Sequence, residues 1–467
     1  AQFYCVDYGG GGLAALAGLP HVGGVCGRND EERLTRTVSE VASLLDERER
    51  RFREAGIDSP QALRVRRALG EGADGSLADV FLVIDNWPAV RLFAEDLEPV
   101  LLDIATRGLG FGVHLVLTAS RWLDVRAALR DAIGGRLELR LNDPSESAID
   151  RRAALNLASA VPGRGLTADR LHFQAALPRV DGRREVLDLS DGVERLVAGL
   201  RAGWSGPTAP PVRVLPREIR AGELAADAGP GVPIGISGRG LRPVRLDLAG
   251  GEPHFLVFGD GESGKSTLLR TFVRGLMAER SSAEAQLLVV DYRRSLLGLV
   301  PEEYLLAYAV AEPAAEQAAT ETAQALTRRM PKPDLSADEL LSRSWWRGPE
   351  VYVVVDDYDL VATAAGNPLL PLLPFVAQAA DVGLHLVLAR RVSGAGRASF
   401  EPLMQRVREL GSAGIVLAGD PQEGPVLGAA RASALPPGRG LLVRRRERPE
   451  LVQVAISEPA DAPSRMD

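Results

Sequence analysis

The sequence predicts an α/β protein made of two tandem cores, each a mainly parallel sheet flanked by helices. Three observations predict it. Short apolar runs such as VFLVID (Val80–Asp85) and VYVVVD (Val351–Asp356) show no alternation, which marks strands buried on both faces of a parallel sheet. Between such runs lie segments of helical period: in ERLTRTVSEVASLLDERERRF, the residues Leu34, Val38, Val41 and Leu45 share one face. The third observation is a repeat in constant order. QFYCVDY (Gln2–Tyr8) returns as QLLVVDY (Gln286–Tyr292), VFLVIDNW as VYVVVDDY, GVHLVLTAS as GLHLVLARR, LNDPSE as AGDPQE, and PGRG at Pro162–Gly165 returns at Pro437–Gly440. Five ordered stations, spaced by about 270–285 residues, signify a tandem duplication.

Length agrees, since 467 residues exceed the roughly 250–300 that one core sustains. The first core is placed over residues 1–203, an extended proline-rich linker (WSGPTAPPVRVLP) over 204–216, the second core over 217–457, and a disordered tail over 458–467. Ser336 and Glu339 have capping-box spacing ahead of a further helix in the second core. A formal net charge of −7 argues against a protein whose main work is gripping nucleic acid. Cys5 and Cys26 form neither a disulfide framework nor a metal spacing, as expected in a reducing cytosol. His114 and His385 fall at equivalent strand positions and read as core. No apolar run approaches the roughly 18–20 residues that span a bilayer. The chain opens directly on a strand, without a signal peptide.

The chemistry is concentrated in HFLVFGDGESGKSTLLRTFV. Apolar HFLVF makes a strand and STLLRTFV starts a helix. Between them Gly259, Asp260, Gly261, Glu262, Ser263, Gly264, Lys265, Ser266 and Thr267 form a phosphate-binding loop. Of 55 basic side chains only Lys265 and Lys332 are lysines; a compact ammonium fits the ring of loop amides where a guanidinium does not. The expected ligand is ATP with Mg²⁺, the metal held through Ser266 and Asp356. Asp260 and Glu262 bring negative charge into the loop, which weakens affinity unless they point outwards. Asp357 stands at the general-base position, one methylene shorter than glutamate, and Ala389 replaces the polar residue that senses the γ-phosphate. Together these departures predict tight holding with slow or conditional turnover.

In the first core the acidic pair is Asp85–Asn86, and asparagine accepts no proton. Thr118 and Ser120 keep polar groups on the next strand. Lys265 precedes Asp291 by 26 residues, so the first core's phosphate loop is expected upstream of Ala1. Arg164 and Arg439, in the two PGRG turns, are candidate arginine fingers.

HFLVFGDGESGKSTLLR, SWWRGPEVYVVVDDYDLV, DVGLHLVLARR and LPPGRGLLV resemble the last ATPase core of the EccC family, the FtsK/SpoIIIE-type ATPases of type VII secretion systems. DYGGGGL, FLVIDNW and FGVHLVLTASRW look like the family's middle core. The resemblance implies RecA-like, FtsK-type P-loop NTPase cores, residues 1–203 being the family's second core without its N-terminal part and 217–457 the family's third core whole. It implies ATP binding with degenerate catalytic residues and recognition of the C-terminal export signal of small helical-hairpin Esx proteins. Multimerisation on substrate binding, an upstream ATPase core, membrane components and a place at the cytoplasmic face of the bacterial inner membrane follow from it as well. The leucines ahead of Trp346, with the paired tryptophans, are the candidate substrate segment. A DNA translocase and a non-hydrolysing ATP-bound scaffold are the alternatives.

Overall fold

A computed structural model describes residues 1–70, 77–157, 161–224, 229–331, 335–336, 338–339, 345–398 and 400–457. Lys332 and the expected tail at 458–467 lie outside them. The chain divides into two compact units, Ala1–Val214 and Leu215–Asp467.

The first unit holds a four-stranded parallel sheet of β1 (Gln2–Asp7), β2 (Val22–Gly27), β3 (Val80–Asp85) and β4 (Val113–Leu117), in the order β2-β1-β3-β4. Helix α1 (Glu31–Ala55) starts where the Asp30 carboxylate accepts from Arg33 N (3.1 Å) and stops at Gly56, in the left-handed region. Its predicted apolar face is the buried one: Leu34, Val38, Val41 and Leu45 pack against Tyr4, Val6, Leu82 and Ile84. Each such side chain contributes about 1.5–3 kcal/mol by leaving water. A separate antiparallel sheet joins β5 (Leu137–Leu139), β6 (Arg164–Thr167) and β7 (His172–Gln174).

The proline-rich segment expected as an extended linker is docked over residues 209–213. Ala209 N donates to Pro20 O (2.8 Å) and Val212 N to Gly23 O (2.9 Å), beside the outer edge of β2. Tyr4 OH donates to Pro210 O (3.2 Å) and Arg36 Nε to Arg213 O (2.9 Å), while Ala209 and Val212 are only 7% and 6% exposed. Gly23 and Gly24 make room, because a Cβ on Gly23 would stand 2.4 Å from Pro210 O. Prolines at 207, 210 and 211 hold the segment extended at little entropic cost.

The second unit contains one ten-stranded sheet. Its strands are β8 (Val232–Ser237), β9 (Pro243–Leu246), β10 (His254–Phe258), β11 (Ala285–Val290), β12 (Leu305–Ala309), β13 (Glu350–Val355), β14 (Leu384–Arg390) and β15 (Ala413–Leu417). After a small ribbon of β16 (Pro425–Leu427) and β17 (Ala430–Arg431) come β18 (Arg439–Val443) and β19 (Glu450–Val454). The order is β12-β11-β13-β14-β10-β15-β18-β19-β8-β9, parallel as far as β15 and antiparallel beyond it. Helix α2 (Lys265–Glu279) lays Leu268, Leu269, Phe272, Val273 and Leu276 on one face. Helix α3 (Glu312–Thr327) covers the other with Ala315, Ala318, Ala319 and Leu326. Both faces are therefore apolar, the physical reason the strands lack alternation.

The histidines are core residues of different degree. His254 Nδ1 accepts from Leu386 N (3.2 Å), and burial pulls its pKa down to about 4. His385 stacks on Tyr352 at 4.5 Å, whereas His114 stacks on Phe81 at 4.6 Å and stays half-exposed.

Candidate nucleotide site

The loop Gly259–Gly264 sits between β10 and α2, at the carboxyl end of the parallel strands, where ligands of such sheets bind. Gly259 N donates to Arg390 O (3.1 Å) and Asp260 N to Ala418 O (2.9 Å), which suspends the loop from the neighbouring strand ends. Gly264 has φ +103°, and a Cβ there would meet Gly438 N at 2.9 Å. A glycine is required on both counts. The first amides of α2 have no intrahelical partners and carry the positive end of its dipole.

Lys265 Nζ donates to Asp260 O (3.1 Å) and lies 3.8 Å from Asp357 Oδ1. Ser266 Oγ donates to Asp356 Oδ2 (2.6 Å), so the two expected metal-holding groups are adjacent. The Asp260 carboxylate accepts from Ser393 N (3.4 Å) and Asp420 N (3.1 Å), Glu262 is exposed at φ +60°, and both residues line the space beside the loop. A cavity of about 610 Å³ adjoins the loop. Arg217, Glu218, Pro437, Gly438 and Gln453 line its far side.

These residues fit a nucleotide with its metal. The helix N-terminus is open, the lysine ends among loop oxygens, hydroxyl and carboxylate meet at one point, and Ser263 Oγ is buried without a hydrogen-bond partner. Asp357 is held differently. It sits at φ +49°, and Arg293 Nε reaches its Oδ2 at 3.0 Å. Burial, with the nearby Asp356 charge, raises its pKa despite Lys265 and Arg293. Beyond it, Ala389 is fully buried and offers no polar group.

The first unit repeats the acidic strand end. Asn86 has φ +67°, matching Asp357, but its Nδ2 donates to Tyr8 O (3.1 Å). Thr118 Oγ1 donates to Asp85 Oδ1 and accepts from Asn86 N (2.8 Å). The two turn arginines part company. Arg164 is exposed, whereas Arg439 is 5% exposed, with its guanidinium bonded to Gln453 Oε1 and to the carbonyls of Leu215 and Pro216. A finger projecting from Arg439 is thus corrected to an internal brace. The paired tryptophans are also braced: Trp345 Nε1 donates to Arg329 O and Trp346 Nε1 to Asp381 O, both at 2.7 Å. Residues 340–344 of that candidate segment lie outside the described residues.

Sequence motifs missed one neighbour of the site. Ser295, in the turn after β11, donates to Asp356 Oδ2. No spacing rule points to it, although DYRRS against DYGGG was visible as the place where the repeat diverges.

The FtsK/SpoIIIE family matches residues 1–181 and 230–342. The ESX-1 secretion system protein EccCb1 of Mycolicibacterium smegmatis is 35% identical over 476 residues, covering 98% of this chain and 79% of that protein. The chain is an EccC-type member of the FtsK/SpoIIIE family. It is 48% identical over 459 residues to the ESX secretion system protein EccC of Thermomonospora curvata, again covering 98% of the chain but 35% of that protein. The ESX-4 secretion system protein EccC4 of Mycobacterium tuberculosis is 44% identical over 463 residues, covering 98% and 36%. The chain therefore spans about a third of the length of these two EccC proteins. The solved structure of ATPases 2 and 3 of T. curvata EccC, in complex with a signal sequence peptide, matches with a TM-score of 0.93 and 48% identity. That match covers 98% of this chain and 82% of the other. The EccC-type fold is accordingly a tandem pair of P-loop ATPase cores. Among the described residues, no helix is long and apolar enough to cross a membrane.

Proposed function

We propose that this EccC-type chain is an ATP–Mg²⁺-binding module of a type VII secretion system that docks a C-terminal export signal of Esx-type helical-hairpin proteins. Lys265 and the loop amides would hold the phosphates, Ser266 and Asp356 the metal, and the bound metal would neutralise phosphate charge. Intrinsic hydrolysis is weak in this reading, because Asp357 is short, engaged by Arg293 and joined by no polar group at Ala389. Those same features favour, as a second reading, a scaffold that keeps ATP without turnover. The module works at the cytoplasmic face of the inner membrane, beside an upstream ATPase core and membrane components. Substrate binding brings copies together, and nucleic acid is not a partner.

The observation that carries the docking step is an asymmetry between matched edges. In the first unit the chain's own residues 209–213 lie along β2. In the second, β12 ends the sheet, and Leu306 and Val310 are 44% and 46% exposed there. Register equates Gly23 with Leu306: each is the residue skipped where pairing with the inner strand slips, between Val22 and Gly24 in one unit and between Leu305 and Ala307 in the other. An open strand edge with apolar side chains accepts an extended peptide. The T. curvata complex with a signal peptide supports the choice of occupant.

The test is a fluorescence titration with a labelled C-terminal Esx peptide and, separately, duplex DNA, with ATP turnover followed in parallel. Saturable peptide binding, lost on Leu306→Arg and absent for DNA, is the expected result. Salt-sensitive DNA binding without peptide binding would reverse the reading in favour of a translocase. Peptide binding with no turnover at any concentration would favour the scaffold.

A further inference from the structure

We infer that Ser295 is a positioning residue for the metal-bound nucleotide, holding the Asp356 carboxylate while Ser266 serves the metal. The inference rests on the nucleotide reading above. Asp356 Oδ1 is taken by Asp357 N (3.0 Å), and its Oδ2 accepts from both Ser266 Oγ and Ser295 Oγ. A serine that gives a lone pair to a metal keeps its proton, so Ser266 and Ser295 both remain donors on Oδ2, and Ser295 is the one that fixes the carboxylate from outside the metal's ligand set.

A hydroxyl has one proton to give, and Ser295 Oγ also lies 3.2 Å from Asp291 Oδ1. Two features send that proton to Asp356. Asp356 Oδ2 is the nearer of the two acceptors, and the Asp291 carboxylate already accepts from Leu296 N (2.6 Å) and Tyr308 OH (2.7 Å) on its other oxygen, which weakens its pull on the serine proton. Arg270, on α2, grips Ser295 O through Nε (3.2 Å) and Nη2, which fixes the residue from behind by the same helix that presents Ser266. Tyr308 belongs to β12, so the edge strand touches the carboxylate of Asp291, which competes with Asp356 for the Ser295 proton.

The first unit shows that the turn itself does not need this serine. Asp7, the counterpart of Asp291, accepts from Gly11 N (3.0 Å) and Leu13 N (2.8 Å). Gly11 occupies the position matched to Ser295, and the turn closes with no side chain. The hydroxyl is therefore a feature of the second unit's turn that the first unit's turn does without.

Calorimetric ATP titrations with Mg²⁺ and with EDTA test this on the whole chain. Ser295→Ala is expected to lower Mg²⁺–ATP affinity about tenfold, the size of one lost hydrogen bond to a charge. Its affinity in EDTA should be unchanged, and Ser295→Thr should restore the loss. Tyr308→Phe, which leaves Asp291 competing for the serine proton, should weaken Mg²⁺–ATP binding in the same direction. Equal affinities for wild type and Ser295→Ala, or equal losses with and without Mg²⁺, overturn the inference. Unchanged affinity in Tyr308→Phe overturns its Tyr308 limb. A wild-type chain that binds no ATP under either condition would bring down the nucleotide reading itself, a result separable from the others.

Discussion

At Asp357 one carboxylate serves two opposed demands. In the proposed role of a base Asp357 must be charged, yet burial and the Asp356 charge disfavour ionisation and prevail over Lys265 and Arg293, so its pKa is raised. Ionised Asp357 therefore costs folding stability at neutral pH. A folded pKa above the unfolded one means that folding binds a proton, so stability falls as pH rises from the ordinary carboxylate range through the raised value. Asp357→Asn, which copies Asn86 of the first unit, is expected to raise the melting temperature of the nucleotide-free protein at pH 7.5 by about 2 °C. The gain should shrink as the pH is lowered toward the ordinary aspartate range. A melting temperature that drops at pH 7.5 would show that the Arg293 contact outweighs burial. The loop between strand and helix and the meeting of Ser266 with Asp356 were legible in the sequence because such a loop allows few residue types at fixed spacing. Ser295 was not, since a hydroxyl reached through a turn leaves no periodic trace, and neither was the direction of the Asp260 carboxylate, which depends on amides more than 100 residues away in the chain.

Single elements depend on contacts that reach well beyond their own sequence. Helix α4 (Pro402–Glu409) begins at Glu401, whose carboxylate accepts from Leu403 N and Met404 N. The same carboxylate receives Tyr358 OH (2.7 Å) and Asn367 Nδ2 (2.8 Å), so it joins the end of the acidic strand to a distant helix. Removing it leaves several donors unpaired at once. Glu401→Ala should destabilise the second unit by about 2–4 kcal/mol, read as a lower midpoint in urea at unchanged slope. A change under about 0.5 kcal/mol would mean that water replaces the carboxylate. The α1 face and the strands were legible because period reports burial directly. The docking of residues 209–213 was not: proline and small residues dictate an extended backbone, but composition does not say what lies beside it. Arg439 failed to read for a similar reason, since PGRG marks a turn whichever way its guanidinium points.

The whole chain is a duplicated fold whose two units differ at their matched strand ends. The second presents Asp357 and Ala389 at strand ends where the first presents Asn86 and Thr118, and its Ser266 and Asp356 meet beside the phosphate loop. A ligand that binds one unit stabilises that unit by RT ln(1 + [L]/Kd), about 2.7 kcal/mol at a hundredfold excess over Kd. For a unit of roughly 250 residues this moves the melting point by about 5–10 °C. Scanning calorimetry is therefore expected to show two transitions, with Mg²⁺–ATP shifting one of them and leaving the other in place. Lys265→Ala should abolish the shift without merging the transitions. A single transition that moves as a whole would mean that the two units unfold together, so that nucleotide bound in the second also stabilises the first. The edge of β12 would then sense nucleotide through the cooperativity of the entire chain, and the local route through Tyr308 and Ser295 would be only one contribution to that coupling.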